Sequence, residues 1–538
     1  MKKTVLFFAL LFNLVVFSQE DAWVYFTDKP DAQYYLDNPL EMLSQRALDR
    51  RTAQGISLSV QDAPIHQPYV DQISVATGIT VMAKSKWMNA LHVRGELSDI
   101  QNLVNLAFVN HIDFANRSLN STSKIGSLPK IPSSVVNKFQ DIQADYNYGN
   151  SVTQVQMLNA QWLHEQNFTG SGKVVAIMDA GFPGVDSQAP FQRLRDNNLI
   201  LGGYDFVNRD ENPYTGYQHG TQVLSSMGGY VDGQLVGTAP DAHYYLFKTE
   251  DTSEENPVEE SYWVEALEMA DSLGVDVVNT SLGYFTYDVP SYSYTYADMN
   301  GQVSFASRAA DIAFSKGMIC VVSAGNTGST INPHIGVPAD AATVLTVGAV
   351  TNSEIKAGFS STGPSADGRI KPDLMALGVS ATLASQTGDI ILNNGTSFAS
   401  PILAGAVASF WSAFPNKTNT EIIQLVKASA DRFSNPNNNY GYGIPDFQLA
   451  YTNALSASSF DKKDFSIYPN PTQNRIIITF NETISEGVIA FYNNLGQLVL
   501  KEKIKNNKEL ALDNLNSGIY LYKITLDGVS ETGKLIKK

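Results

Sequence analysis

Between residues 152 and 454 short apolar runs alternate with stretches of helical spacing, and no other feature limits the possible folds of the chain as strongly. The apolar runs have the length of buried strands and lie at 173–178, 244–247, 275–282, 318–324 and 344–350. Helical spacing is found at 219–228, 258–273, 303–315, 396–414 and 420–430. Strands that are apolar on both faces and alternate with helices predict an α/β fold, a parallel sheet flanked by helices.

Two smaller units flank this α/β unit, which we place at 151–456. Residues 19–116 mix strand-like runs with helical spacing and predict a small α+β unit. Residues 465–538 contain strand-like runs separated by turns, a pattern typical of a small β-sandwich. Residues 117–150 are polar and rich in Ser, Asn and Lys, which predicts a linker.

Residues 1–18 predict a secretory signal peptide. Lys2 and Lys3 precede an apolar run at 5–17 that is short for a membrane span. The alternative is a short buried helix, which the paired lysines disfavour. We find no other run long and apolar enough to cross a bilayer, and we expect a secreted protein without a transmembrane segment in its mature form.

The charge balance argues against one class of partner. The chain has 37 Lys and Arg against 53 Asp and Glu, a formal net charge of −16 at pH 7. Binding to phosphates needs clustered cations, so we expect no nucleic-acid partner. The single cysteine, Cys320, lies in an apolar run and is expected to be a buried hydrophobic residue, not a reactive thiol.

Four polar residues stand at the ends of predicted strands or at the starts of predicted helices. They are Asp179, His219, Asn326 and Ser397. Each has a structural alternative when it is taken singly. Asp179 and Asn326 can form turns, His219 is one of seven histidines, and Ser397 or its neighbour Thr396 can cap a helix.

The four residues have a specific chemical meaning in combination. A serine hydroxyl is a weak nucleophile at neutral pH, so it needs a histidine to accept its proton and a carboxylate on the other imidazole nitrogen. An amide such as that of Asn326, with N–H groups at a helix start, can stabilise an oxyanion. Asp, His and Ser in this chain order form one of the known orders of such triads.

At these motifs the chain resembles the subtilisin-like serine peptidase family. The matching motifs, spread over residues 170–454, are His219-Gly220-Thr221, Val278-Asn279-Thr280-Ser281-Leu282-Gly283, Ser323-Ala324-Gly325-Asn326 and Gly395-Thr396-Ser397. The resemblance implies a subtilisin-like fold and hydrolysis of peptide bonds through an acyl-enzyme. It implies Ser397 as nucleophile, His219 as general base, Asp179 as its orienting group and Asn326 in the oxyanion hole.

The resemblance has further implications for the substrate site. Ser281, Leu282 and Gly283 match the segment that pairs with the substrate backbone and walls the S1 pocket. The residue after Asp179 is Ala180, where the family usually has Thr or Ser. Residues 284–300 form a tyrosine-rich insertion directly after this segment. Two interpretations of the insertion are equally open: it contacts the substrate, or it is a surface loop without a function in binding. The chemistry requires no cofactor, and structural calcium remains an option without a clear motif.

The flanking units resemble accessory parts of such enzymes. Residues 19–116 resemble a pro-segment, which implies a zymogen inhibited by its own N-terminal unit. The C-terminal unit resembles the sorting domain of the type IX secretion system through Ile467-Tyr468-Pro469-Asn470-Pro471 and Tyr492-Asn493-Asn494-Leu495-Gly496. This resemblance implies export through the periplasm of a Gram-negative bacterium, with the secretion machinery as a partner and an extracellular or cell-surface location. The alternative for this unit is a carbohydrate-binding or adhesion module.

Two function classes therefore compete. One is an endopeptidase that acts on protein or peptide substrates, and the other is an inactive peptidase-like binding or adhesion protein. Because inactive relatives usually lose a triad residue and none is missing here, the sequence favours the enzyme.

Overall fold

The computed structural model of the chain contains two compact units, Met1–Asn453 and Ala454–Lys538. It describes residues 19–120, 146–456, 465–468, 472–480, 486–493, 497–505, 508–526 and 529–538. The predicted signal peptide, most of the predicted linker and parts of both C-terminal sorting motifs lie outside these ranges.

The first part of the larger unit is an antiparallel sheet of four strands with helices. In chain order its elements are β1 (Gln19–Phe26), α1 (Ala32–Asp37), α2 (Gln45–Ala53), α3 (Gln67–Ser74), β2 (Ile79–Ser85), β3 (Ala90–Glu96), α4 (Leu97–Asn102) and β4 (Val109–Phe114). The strand order is β2-β3-β1-β4. The predicted α+β unit is therefore present, and below we call residues 19–116 the pro-segment.

The rest of the larger unit is built around a sheet of seven strands. Its strands and helices are α5 (Val152–Gln156), α6 (Ala160–Glu165), β5 (Val174–Asp179), α7 (Gln192–Asp196), β6 (Ile200–Asp205), α8 (His219–Gly228), β7 (Tyr230–Val231), β8 (Leu235–Val236), β9 (His243–Lys248), α9 (Val258–Leu273), β10 (Val277–Thr280), α10 (Phe305–Ser315), β11 (Ile319–Ser323), β12 (Leu345–Val350), β13 (Leu374–Leu377), β14 (Ala381–Ala384), β15 (Ile390–Asn393), α11 (Thr396–Ala413), α12 (Asn419–Ala428) and α13 (Phe447–Ser456).

The large sheet has the order β13-β12-β11-β10-β5-β9-β6, and every neighbouring pair is parallel. All residues of β5, β10, β11 and β12 are buried, as expected for strands covered by helices on both faces. The chain places β9 on one side of β5 and β10 on the other. Such a reversal of strand order opens a crevice at the carboxyl ends of the strands, where ligands bind in open α/β sheets.

The pro-segment and the rest of the larger unit share one apolar core. Trp23 of β1 stacks on Phe305 of α10 with ring centroids 5.2 Å apart, and its indole N–H donates to Oγ of Ser261 on α9 at 2.9 Å. Trp87 belongs to the same buried cluster. Removing the pro-segment would expose this surface of α9 and α10 to water.

The smaller unit consists of two antiparallel sheets. Its strands are β16 (Phe465–Tyr468), β17 (Arg475–Phe480), β18 (Glu486–Tyr492), β19 (Leu498–Lys505), β20 (Lys508–Ala511), β21 (Gly518–Leu526) and β22 (Val529–Lys537). The sheets have the orders β16-β17-β20 and β19-β18-β21-β22 and contribute to one buried core. This arrangement agrees with the predicted β-sandwich. Across the described ranges of the chain, no helix has the length and apolar character needed for a membrane span.

Candidate active site

The imidazole of His219 and the carboxylate of Asp179 are in direct contact. Nδ1 of His219 lies 2.8 Å from Oδ1 of Asp179. Asp179 is the last residue of β5 and is fully buried, while His219 begins α8 and keeps 21% of its side chain exposed. A buried carboxylate at Nδ1 fixes the orientation of the ring and leaves Nε2 available for a proton from another group.

Gly220 allows this close approach. A Cβ atom at Gly220 would lie 2.5 Å from the carbonyl oxygen of Gly181 and 3.0 Å from Cβ of Asp179. Any side chain at this position would therefore push the start of α8 away from the end of β5. The glycine after His219 is thus required by packing.

Ala180 leaves part of the Asp179 carboxylate without a donor. The backbone N–H of Ala180 donates to Oδ1 at 2.8 Å. The other oxygen, Oδ2, is buried, and no donor among the described residues reaches it. A buried acceptor without a hydrogen bond costs about 1–3 kcal/mol, so the methyl side chain of Ala180 has a consequence at the centre of the site.

The surroundings of His219 raise its pKa above the ordinary value of histidine. Burial disfavours the imidazolium and lowers the pKa, but the charge of Asp179 and the contact with its carboxylate outweigh burial. The carboxylate of Glu250 adds to the rise. The net effect favours an imidazolium after proton transfer, which is the state that a general base must reach.

The position of Ser397 is fixed by a buried chain of side-chain hydrogen bonds. Pro401 has no N–H, so it cannot bond to the carbonyl of Ser397 four residues earlier in α11. Oγ of Ser281 donates to that carbonyl at 2.7 Å instead. Asn279 donates to Oγ of Ser281 at 3.0 Å and accepts from Ser400 at 2.9 Å. The first turn of α11 is thereby tied to the end of β10.

Asn326 is held with its amide nitrogen available. Its Oδ1 accepts from the backbone N–H of Thr396 at 3.0 Å and from Oγ1 of Thr396 at 2.9 Å. Gly325, just before it, has φ of +99°, a conformation that favours glycine. Because Oδ1 is engaged, Nδ2 remains a donor beside the N-terminus of α11. An amide N–H at such a place can stabilise an oxyanion.

The predicted substrate segment leaves the core next to these groups. Ser281 is buried, Leu282 is half-buried and Gly283 is exposed. The backbone of the next residue, Tyr284, exchanges hydrogen bonds with Val337 at 2.8 and 3.1 Å. This pairing fixes the end of the segment, and its exposed backbone edge can pair with an extended peptide.

The structure therefore brings the predicted site residues to one edge of the sheet. The ring of Phe398, directly after Ser397, lies 5.6 Å from the ring of His219. Within the described ranges Nε2 of His219 has no hydrogen-bond partner. The hydrogen bond between a catalytic base and its nucleophile is often long, or is not formed, before substrate binds. Sequence reasoning missed the roles of Thr396, Asn279 and Pro401 in holding Ser397 and Asn326 in position. The four-residue spacing from Ser397 to Pro401 is nevertheless visible in the sequence.

The tyrosine-rich insertion at 284–300 contacts the pro-segment. The hydroxyl of Tyr292 lies 3.3 Å from the backbone nitrogen of Asp21, and Arg117, the residue that directly follows the pro-segment, donates to the carbonyl of Ser293 at 2.8 Å. Tyr287 and Tyr294 are buried. The insertion is thus part of the surface that the pro-segment covers, a possibility that the sequence did not suggest.

The described residues include no group of three or more His, Cys, Asp or Glu arranged to hold a metal ion. Cys320 is buried in β11, and burial raises the pKa of its thiol to about 12. It therefore remains protonated at neutral pH and is unsuited to nucleophilic or metal chemistry.

A parallel sheet that carries a carboxylate–histidine pair and a helix-start serine along one edge defines a class of serine peptidase. The chain belongs to the subtilase family, because the family model described as "Subtilase family" matches residues 170–443. Residues 21–129 match the "Peptidase S8 propeptide domain, Bacteroidota", and residues 466–538 match the "Secretion system C-terminal sorting domain".

Individual proteins that are similar to this chain include subtilisins. Subtilisin E of Bacillus subtilis (strain 168) is 32% identical over 309 residues, which cover 57% of this chain and 72% of the relative. Subtilisin of Bacillus pumilus is 31% identical over 299 residues, 55% of this chain and 97% of the relative. The solved structure of MycP1 from Mycobacterium smegmatis matches with a TM-score of 0.44 and 23% identity over 56% of this chain and 84% of that one.

These findings confirm the predicted family and reaction class. The protein is a serine endopeptidase of the subtilase family with a propeptide and a C-terminal secretion sorting domain. They do not favour the alternative of an inactive binding or adhesion protein.

Proposed function

We propose that Ser397 is the nucleophile of this endopeptidase and attacks the scissile carbonyl of a protein or peptide substrate. His219 accepts the Ser397 proton at Nε2 and later gives it to the leaving amine. Asp179 orients the imidazole and stabilises the imidazolium. Nδ2 of Asn326 and the backbone N–H of Ser397 donate to the oxyanion of the tetrahedral intermediate.

The contact of 2.8 Å between His219 and Asp179 is the observation that carries this proposal. A histidine with its Nδ1 on a buried carboxylate is poised to accept a proton at the other nitrogen. Two hydrogen bonds support the remaining assignments. Ser281 donates to the Ser397 carbonyl, and Thr396 donates to Oδ1 of Asn326. They hold Ser397 and the Asn326 amide in place before substrate binds.

In this proposal Ser281, Leu282 and Gly283 bind the extended substrate backbone. Peptide backbone pairs with such an edge through its own N–H and C=O groups, so the segment binds substrates largely without regard to side chains. The P1 side chain, which precedes the scissile bond, then enters the space between this segment and residues 324–326. No cofactor takes part in these steps.

The proposal extends to the life cycle of the protein. The pro-segment acts as an intramolecular inhibitor and is removed by cleavage in the region 117–150. The C-terminal unit, 465–538, engages the type IX secretion machinery after passage through the periplasm of a Gram-negative bacterium. The mature enzyme then acts outside the cell or at its surface.

The test compares the wild-type precursor with the Ser397→Ala variant after purification. We expect wild type to hydrolyse a casein substrate and to lose residues 19–116, whereas Ser397→Ala does neither. A Ser253→Ala variant, which changes a serine of a surface loop, controls for the loss of a hydroxyl and should behave as wild type. Normal casein hydrolysis by Ser397→Ala would refute the assignment of the nucleophile.

A further inference from the structure

Glu250 occupies the same sheet edge as the proposed active site, and the only effect described for it above is the rise that its charge causes in the pKa of His219. Strand β9 runs parallel to β5 with Lys248 opposite Asp179, so Glu250 lies two residues beyond the level of that aspartate. The backbone N–H of Thr249 donates to the carbonyl of Asp179 at 3.0 Å, which extends the pairing to this point. The Glu250 side chain therefore emerges beside the Asp179–His219 pair.

The Glu250 carboxylate is held by hydrogen bonds that use only one of its oxygens. The hydroxyl of Tyr284 donates to Oε1 at 2.7 Å, and Oγ1 of Thr249 donates to the same atom at 2.9 Å. Tyr284 directly follows the proposed substrate segment 281–283, so Glu250 is connected to the cleft on that side as well. Among the described residues, no donor reaches Oε2 and no cation pairs with the carboxylate.

A carboxylate in this position lacks a countercharge. Glu250 is only 8% exposed, and burial raises its pKa well above that of an ordinary glutamate. The hydrogen bonds from Tyr284 and Thr249 oppose the rise, while the negative charges of Glu255 and Asp179 add to it. Glu259 of α9 interacts with Glu250 as well, and its own pKa is raised by burial and by the charge of Glu250. An arriving cation would favour the ionised form and remove most of this penalty.

The order of the strands indicates which substrate side chain meets Glu250. The proposed walls of the S1 pocket follow β10 and β11, on one side of β5, whereas Glu250 follows β9 on the other side. In an extended peptide, successive side chains point to opposite sides. If the P1 side chain enters the pocket between 281–283 and 324–326, the residue before it, P2, faces His219 and Glu250.

We propose that Glu250 is a specificity-determining residue that selects Lys or Arg at position P2 of the substrate. The ammonium or guanidinium group of that side chain donates to Oε2, while Tyr284 and Thr249 hold Oε1. The preferred substrates are therefore segments with a basic residue directly before P1. This inference rests on the proposed active site and adds a substrate class to it.

The test uses two peptides that differ only at P2, one with Lys and the other with acetyl-lysine, which keeps the four methylene groups and replaces the ammonium by a neutral amide. For the mature wild-type enzyme we expect kcat/KM to be at least tenfold higher for the Lys peptide. The preference should increase from about pH 6 to about pH 8, around the pKa of about 7 to which burial raises Glu250, because deprotonation completes the ion pair. The increase should be absent in Glu250→Gln, in which His219 still titrates. Equal rates for the two peptides would overturn the inference.

The Glu250→Gln variant removes the charge and keeps the shape of the side chain. We expect it to prefer the Lys peptide by less than about twofold. The ratio of the two rates within one enzyme is compared, because the lost charge also acts on the pKa of His219 and changes the rates for both peptides together. Glu254→Gln removes a carboxylate that is 49% exposed on the adjacent loop, and it should keep the wild-type preference. A full Lys preference in Glu250→Gln would also overturn the inference.

Two measurements keep the outcome decisive if Glu250→Gln does not mature. Tyr284→Phe retains the ring and removes the hydroxyl on Oε1, and we expect a Lys preference reduced by about threefold or more. The pH dependence of the preference in wild type needs no variant, and a preference that does not change with pH would contradict the inference. Failure of wild type to cleave either peptide would overturn the proposed function itself, whereas equal cleavage overturns only the part assigned to Glu250.

Discussion

Arg51 of the pro-segment lies 2.7 Å from Oδ2 of Asp271 on α9, in an ion pair that is almost completely buried. Arg50 pairs with the other oxygen of the same carboxylate. Asp62 pairs with Arg51 and with Lys316 of the peptidase part, at 3.0 and 2.9 Å. The pro-segment thus supplies the cations that neutralise a buried aspartate of the enzyme.

This network predicts a large effect of Arg51→Met on the stability of the precursor. Removing one partner from a buried network leaves charge uncompensated, so we expect the free energy of unfolding to fall by about 3 kcal/mol. Arg432→Met is the matched control, because Arg432 and Asp431 form a pair in which the side chains are 41% and 49% exposed, and such pairs contribute at most about 1 kcal/mol. Denaturant unfolding in a Ser397→Ala background, which prevents processing, measures both. Equal effects of the two variants would contradict this account.

The raised pKa of His219 predicts the acid limb of the pH–activity profile. The proposed base must be neutral to accept a proton, so kcat/KM falls as the pH is lowered through that pKa. The limb should therefore lie above the value of about 6.5 for an unperturbed histidine. Asp179→Asn removes the charge that raises the pKa, so it should move the limb to lower pH and reduce kcat by about 10⁴-fold. An acid limb that stays in place in this variant would show that Asp179 does not act on the titrating group.

Asn326→Asp separates the two functions of the Asn326 side chain. The carboxylate can still accept from Thr396, but it cannot donate to an oxyanion and its charge opposes one. We expect kcat to fall by about 100- to 1000-fold with little change in KM. Thr396→Val keeps the amide donor and removes one contact to Oδ1, so its loss should be about tenfold or less. Steady-state kinetics of the two variants measure both losses of kcat. A kcat for Asn326→Asp near that of wild type would exclude Asn326 from the oxyanion hole.

Ala180→Ser should stabilise the fold. A hydroxyl at this position can donate to the buried Oδ2 of Asp179, which no donor reaches within the described part of the chain. We expect the free energy of unfolding of the Ser397→Ala precursor to rise by about 1 kcal/mol. In the wild-type background the variant should retain peptidase activity. Ala180→Val adds volume without a donor and is the control, and an equal gain in both variants would point to packing instead of the hydrogen bond.

Much of the peptidase fold could be predicted from local patterns. Helices α8 and α9 begin and end at the predicted residues, because their apolar spacing is regular and Gly229 and Gly274 follow them. Strand β6 was missed because Gly202 and Gly203 interrupt its apolar run, and β13 because it has only four residues. Both lie at the ends of the sheet, where β6 is only partly buried, whereas all four residues of β13 are buried.

The residues of the proposed site could be predicted from the sequence, but the hydrogen bonds that hold them in position could not. Asp179 and Asn326 stand directly after buried strands, which local patterns indicate. The bond from Ser281 to the Ser397 carbonyl joins residues 116 positions apart, and the bond from Tyr292 to Asp21 joins residues 271 apart. Such contacts depend on how the elements pack, so neither they nor the position of Glu250 can be obtained from spacing along the chain.

The most direct test of the central claim is active-site labelling of the mature enzyme with a fluorophosphonate, followed by mass spectrometry of the modified peptide. We expect stoichiometric modification at Ser397 in wild type, none in Ser397→Ala, and much slower labelling in His219→Ala because the proton acceptor is lost. Residues 19–116 of both variants are first removed by an affinity-tagged wild-type enzyme, which is then withdrawn before labelling. A folded, matured wild-type enzyme that takes no label, or a label that maps to a serine other than Ser397, would contradict it.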